Sequence, residues 1–415
     1  METIDTKVLV VGGGGAGMSA AAAASRDCRV TIVDDNPHYG GQIWRQGVSE
    51  KAPPEALELI NKLENRSVGF APGTTIVDSP EPKALIGSRA GKPTLFRFEK
   101  LVIATGARER FIPFPGWTKQ GVYGAGGLQA LVKAGLDVAG KRIIVAGTGP
   151  LLVAVAEYLQ RKGAKVSFVA ELAGKARLLR FGIGLVQYPS KFLKACSFAL
   201  APSSISIRTS SLVEEARGGR RVESIRLNRH GKIEEHECDI LAIGYHLVPN
   251  LELPTLLGCD IGSEGAMVDS YQRTSVADVF AAGETTSIGG IELSCVEGQI
   301  AGYAATGNKE SVKRLVSKRN KLRGFSRILK KTFEIDDRLK SSVKAETMVC
   351  RCEDVSYETL LEFDNWRDAK LQTRCGMGPC QGRICGPATE YLFDWSPDGV
   401  RPPLFPVRVK ELGDL

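Results

Sequence analysis

The 415-residue sequence predicts an α/β protein: two parallel-sheet units followed by a small cysteine-rich appendage. Three observations carry this. An apolar strand pattern enters a glycine turn at residues 6–17, the same pattern recurs at residues 140–152, and five of the ten cysteines crowd into residues 350–385. A chain this long exceeds one ordinary core, so two to three domains are expected. Hydrophobic content of 43% with 25% charged residues belongs to a globular protein rather than a disordered or fibrous one.

In the first unit, residues 6–11 read as a buried parallel strand. The chain then enters Gly12-Gly13-Gly14-Gly15-Ala16-Gly17, an alanine-rich helix over residues 18–25, and a second strand over residues 29–33 that ends on Asp34 and Asp35. Strand, Gly-x-Gly-x-x-Gly, helix, strand and acid together make a dinucleotide fingerprint. The glycines permit a tight turn and close approach to a pyrophosphate, and the helix N-terminus offers amide donors to phosphate. Asp34 lies 22 residues after Gly12, where a carboxylate accepts hydrogen bonds from a ribose. A glycine-rich turn in an unrelated α/β protein is the bland alternative, and the full context outweighs it.

Further along, Gly40-Gly41-Gln42 forms a second glycine turn able to approach the same cofactor. Residues 100–104 read as a strand running into Ala104-Thr105-Gly106, and residues 275–282 as a strand leading to Ala282-Gly283-Glu284. In these features the sequence resembles the two-dinucleotide-binding-domain flavoproteins, the glutathione-reductase-like group with Rossmann domains. The resemblance implies FAD in the first domain, closed by the Ala-Thr-Gly and Ala-Gly-acid segments. Its last acid, usually Asp, holds the ribityl chain; here Glu284 stands in its place, so a longer side chain must fit.

The inserted unit starts with Gly140 and carries Gly147-Thr148-Gly149-Pro150-Leu151-Leu152, a helix to about Arg161, and a strand over residues 165–169. Leu152 takes the third-glycine position, which predicts looser helix–strand packing. The acid, Glu171, arrives one step late. NAD(P) binding is therefore not favoured, and a domain that kept the fold and lost its ligand fits at least as well. Lys175, Arg177 and Arg180 suit either a phosphate or a basic surface loop. Strands over residues 214–237 close this unit, and residues 240–244 return the chain to the first, with Pro249-Asn250 following. The expected boundaries are 1–112 with 238–308 for the FAD-binding domain, 113–237 for the inserted domain, 309–344 for a basic linker, 345–395 for the cysteine domain and 396–415 for a tail.

Net charge is +8, and residues 309–344 hold thirteen Lys/Arg against four Asp/Glu, leaving the rest close to neutral. A solvated linker or subunit-facing helix is preferred over a nucleic-acid surface. Peripheral contact with an anionic membrane is left open. The start, Met1 to Asp5, is acidic and unlike a signal peptide, so the cytoplasm is the expected location. Cys28, Cys196, Cys238, Cys259 and Cys295 are single and scattered, as small buried hydrophobes are. No Cys-x-x-Cys redox pair and no candidate substrate base stand out. Of the four histidines, His38, His230, His236 and His246, none falls in a metal or triad pattern.

The cysteine segment reads Cys350-Arg351-Cys352, then Cys375-Gly376-Met377-Gly378-Pro379-Cys380-Gln381-Gly382-Arg383-Ile384-Cys385. Sulfur crowding of this kind suits zinc or an iron–sulfur cluster. Zinc knuckles space their cysteines two to four residues apart, so the Cys-x-Cys gap argues against one. A reduced cysteine-rich loop or a zinc site stays as the bland alternative. The segment is similar to bacterioferritin-associated-ferredoxin-type (BFD-like) [2Fe-2S] domains. That resemblance implies Cys350 and Cys352 as one ligand pair and favours Cys380 and Cys385 as the other. Cys375 with Cys380 has the same spacing and remains the alternative.

Taken whole, with residues 289–298 and Arg401-Pro402-Pro403, the chain resembles the A or α subunits of heteromeric bacterial amine-oxidising flavoproteins. These are the opine oxidase, D-hydroxyproline dehydrogenase and hydrogen cyanide synthase type. The resemblance implies an FAD-dependent oxidoreductase subunit for electron transfer, with the C–N bond of an amino acid, imino acid or opine oxidised on a partner β subunit of the amine-oxidase type. It also allows a small γ ferredoxin-like subunit, with FMN at a subunit interface; the electron acceptor stays unassigned. Two other readings stand beside it: a self-sufficient NAD(P)H-dependent flavin/iron–sulfur reductase, and a non-catalytic scaffold holding a nucleotide.

Overall fold

The computed structural model describes residues 1–45, 52–189, 191, 193, 205–397 and 399–412. The chain divides into two compact units. Unit 1 comprises Met1–Arg108, Val248–Ser326 and Gly399–Leu415, and unit 2 comprises Glu109–Leu247 and Arg327–Asp398.

Unit 1 is organised on the first apolar strand. Strand β1 (Glu2–Val11) is longer than the apolar run alone suggests, and its last four residues are buried. Helix α1 (Gly15–Ala24) follows, then β2 (Val30–Val33), α2 (Pro54–Glu64), β3 (Gly69–Ala71), β4 (Thr74–Asp78), β5 (Ala84–Arg89) and β6 (Lys92–Ile103). The sheet runs β3-β2-β1-β6-β5-β4, with strand Val279–Ala281 also pairing β6. β1 pairs in parallel with β2 (Val11 opposite Val33) and with β6 (Val11 opposite Ile103). The strand ends that follow β1, β2 and β6 are thus brought side by side. β4 and β5 run antiparallel and extend this sheet beyond β6.

The alanines of α1 have a packing reason. Helix Gly290–Ala305 lies against it so closely that a Cβ on Gly298 would sit 2.0 Å from the Ala16 carbonyl oxygen. One on Gly302 would sit 2.2 Å from that of Ala20. Only glycine facing alanine permits that approach, and Ala20, Ala21 and Ala24 are fully buried there.

Unit 2 holds a five-stranded sheet in the order Ile207–Arg208, Lys165–Glu171, Arg142–Thr148, Ile240–Tyr245, Val122–Gly124. All its pairings are parallel. A three-stranded antiparallel sheet, Ser211–Arg217, Ser224–Arg229 and Lys232–Glu237, closes one side. Leu152, at the third-glycine position, is buried with its Cδ2 where a Cβ on Gly244 would be 3.1 Å away. The glycine has moved to the neighbouring strand, so packing stays close where the sequence predicts looseness.

The basic stretch contains one long helix, Lys309–Thr332, along which the chain passes from unit 1 to unit 2. Within unit 1 its Val312, Leu315, Val316 and Leu322 pack with Val296 and Ile300. The cysteine segment has its own small core, in which Val349, Leu360, Trp366 and Ala388 surround Cys350, Cys375 and Cys385. No helix among the described residues is long and apolar enough to cross a membrane.

Candidate cofactor and metal sites

In unit 1 the site grows from the turn after β1. Gly12 has φ +110°, and a Cβ there would lie 2.2 Å from the Ala104 carbonyl oxygen, so the turn rests directly on the end of β6. A Cβ on Gly17 would meet the Gly12 carbonyl at 1.7 Å. Gly14 is different: a Cβ there would meet only the Cα of Gly41, at 3.8 Å. The second glycine of the fingerprint thus faces open space, flanked by the second glycine turn that the Gly40 N–H ties to the Gly13 carbonyl (2.9 Å). Gly15 and Ala16 start α1, where the helix dipole favours an anion. Gln42 is exposed.

Asp34 is buried, and its carboxylate accepts from the Gly13 N–H and from the Asn36 N–H (2.6 Å). Beside it, burial and then the Asp34 charge push the Asp35 carboxyl up to about 6. Arg45 reaches Asn36 through Nη2 (2.8 Å), while its Nε is buried without a partner among the described residues.

Thr285 joins the two closing segments. Its Oγ1 accepts from the Gly106 N–H (2.9 Å) and lies 3.1 Å from Thr105 Oγ1, which itself donates to the Asn250 carbonyl (3.0 Å). Gly283 (φ +74°) leaves room for Ala16, whose Cβ would be 2.7 Å from an added Cβ. Burial raises the Glu284 pKa, and the Gly290 N–H at the head of helix Gly290–Ala305 opposes that rise. Thr285 is a support that motif reading misses, and Asn250 and Glu297 fall in stretches it marks without giving them a role. Glu297 is fully buried, accepts from the Gly283 N–H and Thr286 Oγ1 (both 3.1 Å) and pairs with Arg323 at 2.7 Å.

Open space over Gly14, a helix start behind it, a buried acid at the end of β2 and an orphaned Arg45 Nε fit the phosphate and ribose end of FAD. Gly12, Gly14, Gly15, Ala16, Gly17, Asp34, Asp35 and Gly41 lie on that side, with Ala104, Thr105, Gly106, Gly283 and Glu284 on the other strand ends.

The cysteine site is shaped by glycines. Helix Trp366–Thr373 starts with Asn365 capping the Asp368 N–H (2.9 Å) and stops at Arg374, which is left-handed. Gly376 (φ +84°) passes where a Cβ would strike the Trp366 indole at 2.7 Å, and a Cβ on Gly378 would fall 2.3 Å from that of Cys352. The loop therefore folds back onto the Cys350-Arg351-Cys352 segment, and Arg374 clasps Glu353 (2.8 Å) across the fold.

All five cysteines come together. The Cys350, Cys375 and Cys385 sulfurs are buried and within 4.8 Å of one another. The Cys352 sulfur, on the exposed side, lies 3.9 Å from that of Cys380. Hydrogen bonds from Cys375 and Cys385 push the Cys350 thiol down to about 2, helped by the Gly376 and Glu353 N–H groups. Contact with the Cys385 thiol, whose single proton is shared with Cys350, likewise lowers Cys380 to about 5, with the Ile384 and Gly382 N–H groups contributing. Burial raises Cys352, and the hydrogen bonds among the thiols push Cys375 up to about 12 and raise Cys385, so the protons are shared across the group. Sulfurs clustered under backbone amides are the donor set for a thiophilic metal or an iron–sulfur cluster. Cys375 sits inside the buried trio rather than apart from it.

The remaining cysteines stay scattered: Cys238 and Cys259 are buried, Cys28 and Cys295 half-buried, all unpaired, and Cys196 lies outside the described residues. A family model described as pyridine nucleotide-disulphide oxidoreductase matches residues 6–304. The chain belongs to that family. It is an FAD-dependent oxidoreductase. Among its relatives, hydrogen cyanide synthase subunit HcnB of Pseudomonas protegens is 28% identical over 91% of this chain and 89% of its own. The A subunit of opine oxidase from Rhizobium meliloti is also 28% identical, over 93% of this chain and 83% of its own. These bear out the resemblance to the amine-oxidising subunits. Among solved structures, L-proline dehydrogenase from P. horikoshii superposes with a TM-score of 0.68 at 18% identity, over 98% of this chain and 79% of that one. Lactococcus lactis thioredoxin reductase gives 0.56 at 19%, over 74% and 99%. Both share the fold.

Proposed function

We propose that this chain is the electron-transfer subunit of a heteromeric dehydrogenase or oxidase acting on the C–N bond of an amino acid, imino acid or opine. Substrate oxidation belongs to a partner β subunit of the amine-oxidase type, and this chain carries FAD in unit 1 and a [2Fe-2S] cluster in the cysteine segment. The observation that carries the reading is the convergence of the five cysteines in a chain whose flavin fingerprint has no redox cysteine pair beside it among the described residues. The subunit names of the relatives support the partner.

When bound, a flavin accepts two electrons at once and an iron–sulfur cluster carries one at a time, so the pair couples two-electron to one-electron chemistry. The residues of this chain supply the surroundings. The turn around Gly14 and the head of α1 bind phosphate, Asp34 orients the ribose, and Glu284 lies at the Gly290 helix head. Cys350, Cys352, Cys380 and Cys385 are the proposed ligands, with N–H groups of residues 353, 376, 382 and 384 tuning the sulfurs. The test is purification with and without a co-expressed partner, followed by flavin and iron analysis. The reading predicts FAD and about two iron per chain; zinc in place of iron would sink it.

A further inference from the structure

The second cofactor implied by the family, a pyridine nucleotide, does not fit unit 2. In an open parallel sheet a dinucleotide binds across the carboxyl ends of the strands. Here those ends belong to strands Arg142–Thr148, Lys165–Glu171 and Ile240–Tyr245. Each meets residues 333–339 of the same chain.

At the first strand end, the Phe333 carbonyl lies 3.4 Å from the Oγ1 of Thr148, inside the glycine turn. Past the second, the Leu172 carbonyl accepts from Arg338 Nη2 (3.3 Å). After the third, His246 donates from Nε2 to that same Phe333 carbonyl. His246 has φ +63°, a left-handed backbone uncommon for a non-glycine residue, and so it leaves the strand at this point.

Apolar contacts reinforce the seat. Phe333 is 5% exposed and meets Phe181 edge-on, with ring centroids 5.3 Å apart. Leu339 is 1% exposed in one core with Leu172 and Tyr245. From the following helix Arg177 donates to the Glu334 carbonyl (3.4 Å).

The turn itself is also committed. Glu171, at the position of the ribose acid, accepts from Thr148 Oγ1 (2.7 Å), the Gly149 N–H (3.0 Å) and the Ala173 N–H (2.8 Å). A pyrophosphate approaching the turn would find the Gly149 amide already taken by Glu171.

We infer that this crevice is the seat of the chain's own residues 333–339 and takes no nicotinamide dinucleotide, the inserted domain serving as the mount of the cysteine segment. Two further bonds complete the mount: Tyr391 donates from its hydroxyl to the Asp336 carbonyl (2.8 Å), and the Trp117 indole donates to the Met348 carbonyl (2.6 Å). The inference stands apart from the substrate and partner proposed above, because it concerns only which nucleotide this chain refuses.

The test uses the full-length holoprotein, titrated anaerobically with NADH and with NADPH. Ligand fluorescence polarisation reads binding and the visible absorbance reads flavin reduction. The inference predicts no saturable binding up to about 1 mM, the weak end of specific affinity. Saturation in the micromolar range by either nucleotide overturns it. Trypsin gives a second readout: cleavage after Arg338 in the native protein should be at least about tenfold slower than after the same position in the double variant Phe333→Ala/Arg338→Lys, because a seated segment is cut only on local opening. Fast native cleavage after Arg338 overturns the seat even if the double variant fails to fold.

Discussion

Arg323 and Glu297 form an ion pair at 2.7 Å in which the carboxylate is wholly buried. Because Glu297 also accepts from the Gly283 N–H and from Thr286, it fixes the turn that presents Glu284. Removing the carboxylate leaves the Gly283 amide without a partner and Arg323 with only its long contact to Gln272 (3.5 Å). Glu297→Ala should therefore cost about 3–5 kcal/mol. Urea unfolding followed by far-UV circular dichroism checks it, and flavin content should fall in step.

Two glycines of the same turn should fail in opposite ways. Gly17→Ala would push a Cβ to 1.7 Å from the Gly12 carbonyl oxygen, so the protein should lose several kcal/mol or not fold. Gly14→Ala has room, with only Gly41 near, and Gly14 has φ −75°. Its stability should change by less than about 1 kcal/mol, while flavin content drops because the methyl occupies the phosphate approach. Denaturant midpoints and the flavin-to-protein absorbance ratio separate the two outcomes.

Single replacements in the cysteine segment test the proposed ligand set. Cys385→Ser should lose the cluster absorbance and most of the iron, and Cys375→Ser should keep both. Gly378→Ala should mimic loss of a ligand without touching a sulfur, since the new methyl would meet the Cys352 Cβ at 2.3 Å. Iron analysis with electron paramagnetic resonance of the reduced protein reads all three.

Burial holds the His246 pKa below its ordinary value, with Arg110 and Lys330 adding to the effect and the bond to Phe333 opposing it. In the folded protein the ring stays neutral where the unfolded chain takes up a proton. Its contribution is thus complete above about pH 6.5 and is lost as pH falls from there through the depressed folded value. Wild-type stability should decline from pH 7.5 to pH 5.5 (pH values set about the ordinary His pKa), and His246→Gln should flatten that decline. Denaturant midpoints across this range give the comparison.

The first glycine turn was legible because its constraint is written in residue type: positive φ at Gly12 and zero clearance at Gly17 admit only glycine. The cysteines were legible as a group, since five thiols at short spacing have few other uses. Their partition was not, because spacing alone does not say that Cys375 folds in beside Cys350. The basic stretch reads by charge as a linker, yet Val312, Leu315, Val316 and Leu322 form a packed stripe under the lysines. Least visible was the seat of residues 333–339. Its bonds end on the carbonyls of Phe333, Leu172 and Glu334, and backbone acceptors leave no signature in a sequence. Glu171 one step late and Leu152 for glycine were its only written traces.

The most direct test of the electron-transfer role is dye reduction by the purified chain, alone and after reconstitution with its partner subunit, over a panel of amino acids, imino acids and opines. The account predicts no turnover by the isolated chain and turnover of one substrate class once the partner is present. Steady dye reduction by the isolated chain with any of these amines would contradict it.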